Sequence, residues 1–166
     1  VISSETAAGY GDFCNQLDTN AYGFSFDVTL FQAIMQGERT EQSIISALNA
    51  VNADADNFDC VVIIRGGGAV SDLSAFDSLM LAENVANFPL PVITGIGHER
   101  DESVVDMVAH TRLKTPTAAA AWLTDNLKRT HDRIEATRTA ITQAVSRRMD
   151  YERMRLNRAA ERIPVL

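Results

Sequence analysis

Apolar residues in this chain fall into short unbroken runs separated by longer amphipathic stretches. Cys60-Val61-Val62-Ile63-Ile64 is the clearest run, and Val92 to Ile96, with Thr94 inside it, is the next strand. A strand with no polar member suits a position covered on both faces, as in a parallel sheet. Val1-Ile2-Ser3-Ser4 reads as the end of another strand, and Phe24 to Phe31, partly alternating and rich in β-formers, as a fourth. Between these runs the spacing is helical. Tyr10, Phe13, Cys14 and Leu17 form one stripe within Ala7 to Leu17. Ile44, Ile45, Leu48 and Val51 form another, in a helix capped by Thr40 and running through Asn52. Leu73, Phe76, Leu79, Met80, Glu83 and Val85 predict a helix from a Ser71-Asp72 cap towards Phe88, stopped by Pro89 and Pro91. Val104, Val105 and Val108 predict the last, within Asp101 to His110. The order βαβαβαβα specifies an α/β fold, a mostly parallel open sheet flanked by helices with right-handed connections.

Arg112-Leu113-Lys114 then reads as a linker, with Thr115 as helix cap and Pro116 in the first helical position. Beyond it no glycine occurs and only Pro164 interrupts. Leu127, Ile134 and Ile141 are seven apart, as are Met149, Leu156 and Ile163, with a one-residue phase shift between the sets. This predicts a long C-terminal, coiled-coil-like helix whose seam is imperfect at the charged Arg148 and Glu152. Residues 1–115 and 116–166 are therefore expected to be an α/β domain and the start of a coiled-coil region.

Composition changes this picture in two ways. The chain has 166 residues, 46% of them hydrophobic, enough for a core of its own. Its net charge of −7 conceals an asymmetry: residues 1–110 hold three basic against sixteen acidic residues, and residues 111–166 hold twelve against six. An acidic body argues against duplex nucleic acid bound all over its surface, whereas the basic helix suits a polyanion or simply a solvated face. No apolar run reaches the ~18 residues of a membrane span, and no signal-peptide pattern is present, so no membrane partner and a cytoplasmic location are expected. The missing initiator Met and the helical end suggest a piece of a longer protein. Cys14 and Cys60 are too few for a disulfide framework, and Cys60 heads a strand as a small hydrophobe.

Chemistry concentrates where two strands stop. Arg65-Gly66-Gly67-Gly68 offers a bidentate guanidinium and backbone that can approach an anion closely, which favours phosphate over a plain tight turn. It has neither the Gly-x-Gly-x-x-Gly order of a dinucleotide site nor the Lys-Ser/Thr of a P-loop. Gly97-His98-Glu99-Arg100-Asp101 follows the next strand. His98 and Asp101, three apart at a helix start, can act as a catalytic pair in which the carboxylate orients the imidazole; the alternative is a surface His beside a helix-start acid. His98, Glu102, Asp106 and His110 recur every four residues, but twelve residues drift by about 120° along a helix, so only pairs of them could share a metal. No metal ligand is assigned, and a divalent cation such as Mg2+ stays open as a cofactor. Trp122 is expected to pack between helix and body rather than to stack on a base.

Taken together and in order, several pieces resemble the catalytic domain of the exodeoxyribonuclease VII large-subunit family. They are Ile2-Ser3-Ser4 with Ala7-Ala8 and Asp12; Val62 to Gly68 with Asp72-Leu73 and Ala75-Phe76; Pro91-Val92-Ile93; Gly97-His98-Glu99 with Asp101; and Thr115-Pro116-Thr117-Ala118-Ala119-Ala120. The resemblance implies a bacterial nuclease subunit that hydrolyses single-stranded DNA from both ends to oligonucleotides. It also implies an OB-fold before this segment, a longer coiled-coil region after it, and several copies of a small subunit on the helical part. By motif, the catalytic residues fall on Asp12, Arg65, His98 and Asp101, and phosphate binding on Gly66, Gly67, Gly68, Thr115 and Thr117. The chain departs from the family's pattern at Gly9-Tyr10-Gly11, at Arg100 and at Phe31-Gln32-Ala33. Two other readings of the same residues are a non-catalytic module binding a phosphometabolite or nucleotide, and a coiled-coil adaptor for which the α/β body is a cap.

Overall fold

The computed structural model describes residues 1–66, 73–97 and 102–162. Its strands are β1 (Ile2–Ser3), β2 (Phe31–Gln32), β3 (Val61–Ile64), β4 (Val92–Gly95) and β5 (Thr111–Arg112). Its α-helices are α1 (Ala8–Asp18), α2 (Thr40–Asn52), α3 (Leu79–Ala86), α4 (Val104–Val108) and α5 (Pro116–Ala160). The five strands form one sheet in the order β2-β1-β3-β4-β5, every pair parallel. Two compact units are present, Val1–Thr124 and Asp125–Leu166.

β3 explains the layering of the first unit. Successive strand residues face opposite ways, so Val61 and Ile63 enter one core cluster and Val62 and Ile64 the other. The first cluster takes Ile44, Leu48 and Val51 from α2, Leu81 and Val85 from α3, and Val105 from α4. The second takes Phe13 and Leu17 from α1 and Ala119 and Ala120 from the first turns of α5, with Trp122 and Leu123 packed on it. Crossovers of one hand place their helices on opposite faces when they travel in opposite directions across a sheet. The β1-to-β2 step carries α1 to one face, and the steps leading to β3, β4 and β5 carry α2, α3 and α4 to the other. Direction reverses between β1 and β3.

Four elements differ from the sequence expectation. Phe24 to Leu30 keep their alternation, with even-numbered residues half-buried and odd-numbered ones exposed, but only Phe31–Gln32 forms a ladder, with β1. Period-two patterning reports one-sided cover, not a hydrogen-bonding partner. Asn20 holds the start of that segment, donating to the Leu17 and Phe24 carbonyls at 2.7 Å. The helix expected to run towards Phe88 is shorter: a 3-10 turn spans Ser74–Asp77, and extended Ser78 caps α3 by accepting from Leu81 N–H. That break shifts the helical phase, leaving Leu79 and Met80 exposed while Leu81 and Ala82 turn inward. Arg112, read as the first residue of a linker, instead belongs with Thr111 to the edge strand β5, pairing with Ile93 and Thr94. Two residues carry too little pattern to announce a strand. Thr40 is the first residue of α2 rather than its cap.

α5 begins as expected, with Thr115 Oγ1 accepting from Ala118 N–H at 3.1 Å. In the second unit its apolar side chains are exposed, among them Ile134, Val145 and Leu156. These recur at eleven residues, or 3.67 per turn, which accounts for the phase shift between the two heptad sets: the stripe follows the helix nearly straight. Arg148 and Glu152, which break the heptad pattern, form an ion pair at 2.6 Å along the helix surface.

Ile63 is fully buried in β3, so Ile63→Ala should cost about 2–5 kcal/mol in urea unfolding. Burial pushes the Cys60 thiol up. The unfolded chain then loses this proton first, so the stabilising contribution is complete below the ordinary thiol range and declines as pH rises through the folded value. The stability difference between wild type and Cys60→Ala should accordingly shift against wild type from pH 7 to pH 10.

Candidate functional site

Where winding reverses, the segments leaving β1 and β3 diverge and open a crevice at the carboxyl ends of the strands. A cleft of about 790 Å³ lies there, lined by the residues that follow β1 (Ser4 to Ala8), by the last residue of β2 and those after it (Gln32 to Gln36), by those after β3 (Arg65, Gly66) and by Ser43 from α2. Arg65 is buried, 7% exposed, and lines this cleft. Its backbone N–H donates to Gly95 O at 3.5 Å, joining the ends of β3 and β4.

Close backbone packing converges on the same point. A Cβ on Gly66 would stand 2.7 Å from the Ala7 Cβ and 3.1 Å from its Cα. A Cβ on Gly9 would stand 2.8 Å from Pro116 Cγ and 3.0 Å from the Arg65 carbonyl oxygen. Small residues thus let the first turn of α1, the end of β3 and the start of α5 meet. Ala7, at the cap of α1, has no side-chain acceptor for the first-turn N–H groups; the Tyr10 N–H donates to the Ala7 carbonyl at 3.0 Å, and those of Ala8 and Gly9 are suited to an anion.

The structure brings some of the expected site residues together and separates others. Arg65 and Gly66 are adjacent to the α1 start. Thr115 and Thr117 share a hydroxyl contact of 3.0 Å at the start of α5, beside Pro116, but neither lines the cleft. Asp12 is exposed on the second turn of α1 and does not line the cleft either. Gly67, Gly68, His98 and Asp101 lie outside the described residues.

A buried carboxylate stands at the base of the segment between β4 and α4. Asp106 Oδ1 accepts from Thr94 Oγ1 at 2.6 Å, and Oδ2 accepts from Ser103 Oγ at 2.8 Å and Ser103 N–H at 3.3 Å. Ser103 Oγ in turn accepts from Asp106 N–H, completing a capping box on α4. Asp77 accepts from Val104 N–H at 3.0 Å. One carboxylate therefore ties the end of β4 to the start of α4, the two flanks of residues 98–101. The four-residue spacing considered for a metal is put to other uses: Asp106 is in this network, Glu102 pairs with Arg112, and exposed His110 contacts Thr111 Oγ1 at 3.0 Å. Among the described residues no group of three or more His, Cys, Asp or Glu side chains converges as a metal site. No helix among them is long and apolar enough to cross a membrane.

The sequence reading missed Glu5, Gln32 and Ile34 at the cleft. Their one available signal is position, at or just beyond the ends of strands β1 and β2, and it becomes useful only when strand order is known.

Fold and site define an α/β domain with an anion-suited crevice at a topological switch point. The family model described as exonuclease VII, large subunit, matches residues 1–166, and the chain belongs to that family. Relatives named exodeoxyribonuclease 7 large subunit include those of Lactobacillus helveticus, 35% identical over 132 residues, Nostoc, 40% over 127, and Deinococcus radiodurans, 39% over 125. These alignments cover 80%, 76% and 74% of this chain and 30% of each relative. The chain spans about 30% of the length of the relatives it matches.

Gly66→Ala forces the α1 start away from β3 and should destabilise the fold by about 1–3 kcal/mol. Asp106→Ala, which strands the Thr94 and Ser103 hydroxyls, should cost a similar ~1–3 kcal/mol. Thermal unfolding of both variants against wild type measures these losses.

Proposed function

We propose that this chain is the catalytic segment of an exodeoxyribonuclease that hydrolyses phosphodiester bonds of single-stranded DNA from both ends into oligonucleotides. The observation that carries the reading is Arg65, buried at the switch point, with Gly66 packed against an α1 start whose N–H groups have no side-chain cap, in a chain of the exonuclease VII large-subunit family. Family membership favours the nuclease over a phosphate-binding module without catalysis.

Arg65 and the N–H groups of Gly66, Gly67 and Gly68 stabilise charge that builds on the phosphate oxygens in the transition state. His98 moves a proton at the scissile bond, as base towards water or as acid towards the leaving oxygen, and Asp101 holds its imidazole in one tautomer. Asp12 would orient the attacking water, or would help hold a divalent cation such as Mg2+ that polarises it. Thr115 and Thr117 contact the neighbouring phosphate from the start of α5. Residues 1–115 form the catalytic domain. Residues 116–166 begin a coiled-coil region on which several copies of the small subunit dock through the exposed apolar stripe. The assembled enzyme acts in the cytoplasm.

The test uses the full-length large subunit assembled with the small subunit on end-labelled single strands. Arg65→Ala and His98→Ala should each lower cleavage at least ~100-fold while circular dichroism and melting temperature stay those of wild type; an active His98→Ala enzyme removes the assignment. Addition of a chelator stops cleavage only if a cation takes part.

A further inference from the structure

The cleft is longer than a phosphate needs, and its two ends differ in charge. From Arg65 at the end of β3 it crosses the end of β1 to the residues after β2. The order β2-β1-β3 puts two inter-strand spacings, ~10 Å, between those ends, which is about the reach of a nucleoside from its own phosphate. A volume of about 790 Å³ accommodates such a group. On the β2 side stand Gln32, Ile34 and Ser43, faced by Glu5. Gln32 Nε2 donates to Glu5 Oε2 at 2.5 Å. A carboxylate only accepts, so the contact fixes the orientation of the amide and leaves Gln32 with one carbonyl acceptor and one further N–H donor. Ser43 Oγ accepts from Ile34 N–H at 2.8 Å, which holds Ile34 at the cleft with its side chain 41% exposed.

Glu5 makes this end unfavourable for a second phosphate by like-charge repulsion. An exposed aliphatic side chain beside an oriented amide suits an uncharged, flat group with polar edges. We propose that the β1–β2 side of the cleft seats the nucleoside flanking the phosphate held at Arg65, with Ile34 against the base and Gln32 on its polar edge. Every base offers donors or acceptors on its edges, and an amide provides both, so the subsite takes any base and confers position rather than sequence preference. Gln32 and Ile34 are positioning residues that set which linkage stands at Arg65. The inference rests on the nuclease reading and extends it to the substrate's neighbouring unit.

Single strands carrying one abasic residue at a defined place, labelled at either end, test it with the assembled full-length enzyme. On at least one side of the abasic residue, the wild-type enzyme should cut the adjoining linkage about tenfold more slowly than the same linkage in an intact strand. Gln32→Ala and Ile34→Ser, both at surface-accessible positions, should slow cleavage of intact strands and bring that ratio towards one. Equal wild-type rates with and without the base overturn the subsite alone, as do variants that keep the wild-type ratio. An Arg65→Ala enzyme that still degrades intact strands overturns the nuclease assignment of the cleft, and the subsite with it.

Discussion

β3 has no face open to water. Because Val61 and Ile63 belong to one core cluster and Val62 and Ile64 to the other, helices must cover both sides of the sheet, and parallel crossovers of one hand can do that only by winding in two directions. The reversal then has to fall somewhere, and in the order β2-β1-β3-β4-β5 it falls between β1 and β3. The cleft at the ends of those strands follows from the burial of four aliphatic residues. Arg65 is the next residue after that strand, so the strand that forces the layering also delivers the cation to the crevice.

Small residues convert this topology into a site. Gly66 against Ala7, and Gly9 against Pro116 and Arg65, bring the starts of α1 and α5 to the end of β3 at distances that a side chain would prevent. Helix N-termini concentrate partial positive charge and unsatisfied donors, which compensates for an acidic body with only three basic residues in its first 110 positions. Asp106 adds a different control. By bonding to Thr94 and Ser103 it fixes both flanks of the β4–α4 connection.

The second unit obeys other rules. Its apolar residues are exposed along one helix, and the eleven-residue recurrence of Ile134, Val145 and Leu156 keeps them on a nearly straight line. The arginines and glutamates between them pair along the helix surface, where such pairs contribute only ~0.3–0.5 kcal/mol each. A stripe of that kind gains stability chiefly when another helix covers it.

Local sequence determined the strands β3 and β4, helices α1 and α2, and the Thr115-Pro116 start of α5, and it put Arg65-Gly66 at the end of a strand, because each depends on side-chain type within a few residues. Tertiary structure decided the rest. Phe24 to Leu30 alternate like a strand yet lack a ladder, since pairing depends on how much of a neighbouring strand is available. Ser78 split a helical pattern that looked continuous, because a cap and a helix-interior serine read alike. β5 exists only because β4 offers an edge to Thr111 and Arg112. The candidate site divides along the same line: Arg65 is legible from its glycines, whereas Glu5, Gln32 and Ile34 line the cleft only because β2 and β3 flank β1, a fact of strand order that no local spacing records.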